Sequence, residues 1–156
     1  MTIFILRHGQ AEAQITIDEV RQLTDKGRSD TARIVQARLA DLPLAQIWAS
    51  PLVRAQQTAE IAASYFPRLK IQTSDLLVPE ANPQVLMNWL GELNAQFIGT
   101  DRSILLVSHQ PLVGALVNRL CGTPDDYYPM GTSSLAAIRV QVIAADMGDL
   151  LWLDHA

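Results

Sequence analysis

The chain has 156 residues, of which 49% are hydrophobic and 18% are charged, and its formal net charge is −4 at pH 7. This length and composition indicate a globular protein with a full core, so we expect a single domain over residues 1–156 and exclude a disordered chain. The negative charge gives no reason to expect a nucleic acid or an acidic membrane surface as a partner.

The sequence also limits which targeting signals and disulfide bonds the chain can have. No apolar run approaches the roughly 20 residues of a membrane span, and the apolar start of the chain is closed by Arg7, too early for a signal-peptide core. The one cysteine, Cys121, cannot form an internal disulfide. We therefore expect a cytoplasmic location and no membrane partner.

The first predicted element is a buried strand. The apolar run Ile3–Leu6 lacks helical spacing, which favours a strand over a helix, and it ends at Arg7-His8-Gly9. In open α/β sheets ligands lie beyond the carboxyl ends of the strands, which makes Arg7 and His8 candidate site residues. Taken alone, the motif fits a surface turn about as well.

The next elements are a helix, a strand and a second helix. The segment Leu23–Gly27 leads into a helix that ends before Pro43. A strand follows at about Gln46–Ala49, and Ser50 and Pro51 suit the cap and first position of a helix that runs to about Tyr65. The apolar face predicted for the first of these helices consists of Ala32, Val35, Leu39 and Leu42.

Strand and helix continue to alternate along the rest of the chain. We expect a strand at Lys70–Thr73, an extended segment at Leu76–Val78, a helix capped at Asn82-Pro83, a strand at Ser103–Val107, a helix from Pro111 to Gly122, and two strands at Ser134–Val142 and Leu150–Leu153 that pair as a hairpin. The helix after Asn82 should bury Val85, Leu86, Trp89, Leu90, Leu93 and Phe97. The pattern predicts an α/β fold, a three-layer α/β/α sandwich whose central sheet is mostly parallel with an antiparallel C-terminal hairpin.

The arrangement at the first strand end recurs at two later strands. Arg54 follows the strand that ends at Ser50-Pro51, and His109 follows the strand that ends at Ser108. The three strand ends carry two arginines and two histidines and no carboxylate. Two guanidinium groups at one place repel each other unless an anion joins them, and a phosphoryl group fits their planar forks. The same charges would repel a divalent cation, so we expect no metal and no other cofactor.

Three motifs together carry a family resemblance. They are Leu6-Arg7-His8-Gly9, the run from Ser50 to Thr58 around Arg54, and the run from Val107 to Gly114 around His109. In combination they resemble the histidine phosphatase superfamily, whose fold is phosphoglycerate mutase-like. The length and the Arg21–Thr24 stretch are most similar to the small SixA-type phosphohistidine phosphatases.

Residue chemistry and resemblance agree on the main roles. A neutral imidazole can attack phosphorus, so His8 is the expected nucleophile, with its second ring nitrogen donating to a carbonyl just beyond Gly9. The resemblance implies a phosphorylated intermediate on His8, and implies that Arg7, Arg54 and His109 hold the phosphoryl oxygens.

The proton donor is open between two carboxyl groups. Glu80 lies where the family often has this acid, but it could equally complement the dipole of the next helix. Asp18 lies where SixA-like members carry an aspartate, but a solvated loop carboxylate is the better-supported interpretation of the sequence.

The substrate is also open. The intervals between Arg54, Glu80 and His109 are filled by ordinary core elements, which leaves no room for a substantial lid and predicts an open pocket. The resemblance implies a phosphorylated protein, for example a phosphohistidine on a histidine phosphotransfer domain. The alternatives are small phosphoesters or phosphoramidates, or a phosphoryl-binding module without turnover.

Overall fold

The computed structural model of the protein describes residues 1–97 and 100–156. Within these ranges strands and α-helices alternate through most of the chain, as expected. Their bounds are β1 Thr2–Arg7, α1 Asp25–Arg38, β2 Leu44–Ala49, α2 Val53–Ala63, β3 Ile71–Thr73, α3 Pro83–Ala95, β4 Ser103–Ser108, α4 Leu112–Cys121, β5 Leu135–Val140 and β6 Gly148–Asp154.

The strands form one mixed sheet in the order β3-β2-β4-β1-β5-β6. The first four strands of that order run parallel, whereas β5 and β6 are antiparallel, which confirms the C-terminal hairpin. β1 and β4 are neighbours at the centre, and Arg7 lies opposite Ser108 in their register. The chain segments that follow these two strands therefore leave the sheet side by side.

Helices cover both faces of the sheet. Successive side chains of a strand point to opposite faces, and in β1 Ile3 and Ile5 pack with α3 and α4, whereas Phe4 and Leu6 pack with α1 and α2. All four side chains are buried. This confirms the three-layer α/β/α sandwich and explains why the run is continuously apolar.

Some helix boundaries follow the sequence signals. The side chain of Asn82 accepts hydrogen bonds from the backbone N–H groups of Gln84 and Val85, with Pro83 in the first turn of α3. Gly122 ends α4 in the left-handed conformation, with φ of 67°. None of the helices in the described ranges is long and apolar enough to cross a membrane.

Other local predictions are wrong. α1 ends at Arg38, so Leu42 lies beyond the helix and is exposed. The predicted extended segment from Leu76 begins instead inside a 3-10 turn, Asp75–Leu77. In α3 the side chain of Val85 is exposed, because the face of the helix that packs on the core carries Leu86, Met87, Leu90 and Leu93.

The start of α2 also differs from the prediction. The helix begins at Val53 with Leu52 at its cap position, and Ser50 and Pro51 lie before it. The Ser50 hydroxyl accepts a hydrogen bond from the Leu52 N–H at 3.3 Å. The same hydroxyl also forms a hydrogen bond with the ring of His109.

Candidate active site

Four side chains converge beyond the carboxyl ends of β1 and β4. The ring centroids of His8 and His109 are 4.9 Å apart, and Arg54 Nε lies 3.3 Å from His8 Nε2. Arg7 ends β1 immediately before His8. We call this group of Arg7, His8, Arg54 and His109 the cationic cup. The sequence predicted its members, and the structure brings them together.

The His8 ring is held in one tautomer. Its Nδ1 lies 2.7 Å from the carbonyl oxygen of Gly9, and because a carbonyl oxygen can only accept, Nδ1 carries the proton. Nε2 therefore keeps its lone pair and accepts the contact from Arg54 Nε. The accepting carbonyl belongs to Gly9 itself, not to a residue beyond it as the sequence suggested.

A side chain of α2 holds the backbone of Gly9 in place. The Gly9 N–H donates to Thr58 Oγ1 at 3.1 Å, and the Thr58 hydroxyl donates to the carbonyl oxygen of Arg54 at 2.8 Å. A Cβ atom at Gly9 would come within 2.7 Å of the Gly27 carbonyl oxygen, so no larger residue fits there. Thr58 is the last residue of the Ser50–Thr58 motif. No sequence signal showed that its side chain joins the loop after His8 to the helix that carries Arg54.

His109 is held by Ser50 from the neighbouring strand end. The distance between His109 Nε2 and Ser50 Oγ is 2.8 Å, and both residues are buried. Arg7 Nη1 donates to the carbonyl oxygen of Met130 at 2.9 Å. Two buried polar atoms in the described part of the chain lack a hydrogen-bond partner, Arg7 Nε and His109 Nδ1, and both belong to the cup. Unpaired buried polar groups are costly and mark places where a ligand atom can bind.

A carboxylate does enter the site, contrary to the prediction of a cup without one. Arg54 donates through Nη1 to the Asp18 carbonyl oxygen and through Nη2 to Asp18 Oδ2, both at 2.9 Å. Arg21 Nη1 lies 3.0 Å from Asp18 Oδ1. The sequence named Asp18 as a candidate proton donor but missed its contact with Arg54, because the contact is made by a 3-10 turn, Asp18–Val20, whose position depends on the folded first loop. The hydrogen bonds from Arg21 and then Arg54 lower the pKa of Asp18.

Glu80 has a different setting. Its side chain is exposed in the turn that precedes α3, and it makes no hydrogen bond or ion pair to any residue in the described ranges. The preceding Leu77 accepts a hydrogen bond from Ser108 Oγ at 2.6 Å, which places this segment against the end of β4. The described residues include no group of three or more His, Cys, Asp or Glu side chains able to hold a metal ion.

Burial and neighbouring cations keep both histidines of the cup neutral. The pKa of His8 is lowered to about 4, chiefly by burial and to a smaller extent by Arg54 and Arg7, while the Gly9 hydrogen bond acts in the opposite direction. The pKa of His109 falls to about 3, first through burial and then through His8 and Arg54. At neutral pH the Nε2 lone pair of His8 is therefore present on nearly every molecule.

The same pKa shifts predict how stability depends on pH. Below pH 6.5 the two histidines bind protons in the unfolded chain but not in the folded one, so the free energy of unfolding should decrease as pH falls from 6.5 towards 4. Each histidine should contribute up to about 1.4 kcal/mol per pH unit in this window. Urea unfolding at pH 7, 6 and 5 measures the slope, and His8→Asn should make it shallower. A variant with the native slope would contradict the assignment.

Comparison with known proteins places this geometry in a family. The family pattern described as histidine phosphatase superfamily (branch 1) matches residues 3–78. The phosphohistidine phosphatase SixA of Escherichia coli is 34% identical over 143 residues, which is 88% of this chain and 83% of that protein. The SixA homolog of Haemophilus influenzae is 32% identical over 146 residues, 86% of this chain and 87% of that protein.

The fold is also that of a solved relative. The structure of the protein histidine phosphatase SixA complexed with tungstate matches this chain with a TM-score of 0.81 and 28% sequence identity. The match covers 98% of this chain and 96% of the other.

Proposed function

Since this chain belongs to the histidine phosphatase superfamily, we propose that it is a phosphatase that hydrolyses protein phosphohistidine through a phosphorylated His8. The observation that carries the proposal is the cationic cup, in which the neutral His8 ring donates through Nδ1 to Gly9 and directs its Nε2 lone pair towards the guanidinium group of Arg54, with Arg7 next to it in the chain. The relatives named as phosphohistidine phosphatases support the substrate class, and the tungstate complex of one of them supports an oxyanion as the bound group.

The first chemical step is phosphoryl transfer to the protein. His8 Nε2 attacks phosphorus, an N–P bond forms on His8, and the P–N bond to the substrate imidazole breaks. The electron pair of the broken bond stays on the leaving nitrogen, which takes up a proton. The Gly9 carbonyl supports the positive charge that develops on the His8 ring, because it accepts from Nδ1–H at 2.7 Å.

The cup supplies charge stabilisation in the same step. The charge of the transferred group spreads over its equatorial oxygens in the transition state. Arg7 Nε is a buried donor without a partner in the described structure, and His109 Nδ1 is a second one when His109 Nε2 accepts from the Ser50 hydroxyl; two phosphoryl oxygens would satisfy both. Arg54 adds a second guanidinium group, whose Nε lies 3.3 Å from His8 Nε2.

The two carboxyl groups that could donate this proton differ in their contacts. Arg21 and Arg54 keep Asp18 ionised, which makes it a poor acid while those contacts last. Glu80 is exposed at the same edge of the sheet and is bound to nothing in the described ranges, so we assign the donor role to Glu80. In the second step water attacks phosphorus on His8, releases inorganic phosphate and restores the neutral ring.

The rival functions predict different products. A phosphatase of small phosphoesters or phosphoramidates would prefer these compounds to a phosphorylated protein. A phosphoryl-binding module would bind an oxyanion but release no phosphate. The retention of both histidines and both arginines in hydrogen-bonding positions favours turnover over simple binding.

The test is phosphate release from a substrate panel. We expect release from histidine phosphotransfer domains phosphorylated on histidine, with kcat/KM at least about tenfold higher than for p-nitrophenyl phosphate or phosphoramidate. Higher kcat/KM for the small compounds would move the assignment to small substrates. Oxyanion binding without release from any substrate would establish a binding module.

A further inference from the structure

The first loop is firmly attached at both of its ends. The Glu12 N–H donates to the Gln22 carbonyl oxygen at 2.9 Å, and Arg21 Nε donates to the Glu12 carbonyl oxygen at 2.8 Å. Next to this pair, Ala11 and Leu23 form an isolated antiparallel bridge. These contacts close the loop at its base, and the contacts of Asp18 with Arg54 attach its middle part to α2.

This attached loop exposes three branched aliphatic side chains. Ile15 is 90% exposed, Ile17 is 58% exposed and Val20 is 48% exposed. Single exposed apolar residues are ordinary, but a group of them on one short, fixed segment indicates a surface that binds something apolar. We call Ile15, Ile17 and Val20 the apolar rim.

The apolar rim lies directly beside the cationic cup. Asp18, between Ile17 and Val20, contacts Arg54 through both its carbonyl oxygen and its carboxylate, each at 2.9 Å. A molecule that brings a phosphoryl group to Arg54 therefore arrives next to the rim. The rim residues therefore lie within three positions of a residue that touches the cup.

We propose, on the basis of the proposed function, that the apolar rim docks the protein that carries the phosphohistidine. The partner would place an apolar patch beside its phosphorylated histidine, over Ile15, Ile17 and Val20. A small phosphorylated compound has too little apolar area to cover three such side chains. An anionic membrane is disfavoured, because Asp18 and Glu19 lie between the rim residues and the chain carries a net charge of −4.

Docking and phosphoryl binding are coupled through Asp18. Two of the three guanidinium nitrogens of Arg54 are engaged by Asp18 in this structure. A phosphoryl group that binds Arg54 must displace or share these contacts. Where it displaces them, the loop stays closed at its base, but the part that bears the rim loses its attachment to Arg54 and can shift. A partner that holds the rim in its displaced position would favour phosphoryl binding, whereas a small substrate gains no such help.

The experiment compares two triple variants on two substrates. The rim variant is Ile15→Ser, Ile17→Ser and Val20→Thr. The matched control is Val142→Ser, Met147→Ser and Leu151→Ser, which removes three exposed apolar side chains from the region of the C-terminal hairpin. Each is assayed with a phosphorylated histidine phosphotransfer domain and with phosphoramidate.

We expect the rim variant to lose about 10- to 100-fold in kcat/KM on the phosphorylated domain, mainly through KM. Its activity on phosphoramidate should stay within about twofold of native, and the control variant should keep both activities. Unchanged activity on the domain, or an equal loss on both substrates, would overturn the docking assignment. A native chain that hydrolyses neither substrate would refute the proposed function itself. Dimers of the native chain that the rim variant abolishes would instead assign the rim to self-association, against the proposal.

Discussion

Replacing His8 with alanine should abolish both phosphate release and the phosphorylated intermediate. Loss of a nucleophile typically costs about 10⁴-fold or more in kcat, and the residual activity reflects binding and charge stabilisation alone. The chain has three histidines, so acid-labile, base-stable phosphate on the protein can be assigned by substitution. The measurements are phosphate release from a phosphorylated histidine phosphotransfer domain and quench-trapped label on the chain.

His155→Ala is the matched control for this experiment. His155 is exposed near the end of the chain, and its ring contacts the hydroxyl of Ser134, a residue that reaches the cup only through its backbone carbonyl oxygen, which accepts from the Arg7 N–H. This variant should keep the label and the activity. Since His8 is buried, thermal unfolding must show that His8→Ala is folded. A folded His8→Ala protein that still carries acid-labile phosphate would remove His8 from the nucleophile role.

Replacing Arg54 with alanine should reduce kcat/KM by about 10²- to 10³-fold, the range seen when one transition-state hydrogen-bond donor is removed. Arg54 Nε contacts His8 Nε2, and its two terminal nitrogens, which Asp18 engages in this structure, can bind the phosphoryl group once those contacts are shared or displaced. Arg54→Lys keeps the charge but loses the planar fork, so we expect only partial recovery. Steady-state kinetics and tungstate affinity are the two measurements.

The control for Arg54 is Arg68→Ala, which removes an exposed positive charge beyond the end of α2. It should change neither kinetics nor tungstate affinity by more than about twofold. Because Asp18 loses a partner when Arg54 is replaced, unfolding curves must accompany the kinetics. If Arg54→Ala and Arg68→Ala behaved alike, the proposed contact with the phosphoryl group would be wrong.

The members of the cationic cup could be predicted because they follow directly from strand ends. Continuous apolar runs mark β1 and β4, and neighbouring parallel strands deliver Arg7, His8 and His109 to one edge of the sheet. Arg54 follows from β2 by the same reasoning. Local sequence signals are sufficient here, because each functional residue lies within a few positions of a strand.

The contacts of the first loop could not be predicted in this way. The position of Asp18 depends on the hydrogen bond between Arg21 and Glu12, which joins residues through the folded loop rather than through a repeating pattern. For Ser50 the error is the opposite one, because a clear local signal led to a wrong prediction. Its type and position are typical of a helix cap, yet its hydroxyl lies 2.8 Å from the His109 ring, a partner supplied by a distant part of the chain.

The hydroxyl of Thr58 links the backbone next to His8 to the backbone of Arg54. Because this hydroxyl bonds the carbonyl oxygen of Arg54 and the N–H of Gly9 at once, a small displacement of α2 moves the His8 ring and the Arg54 guanidinium group in the same direction. Thermal motion of that helix would then shift His8 and Arg54 together and leave the spacing between them nearly constant.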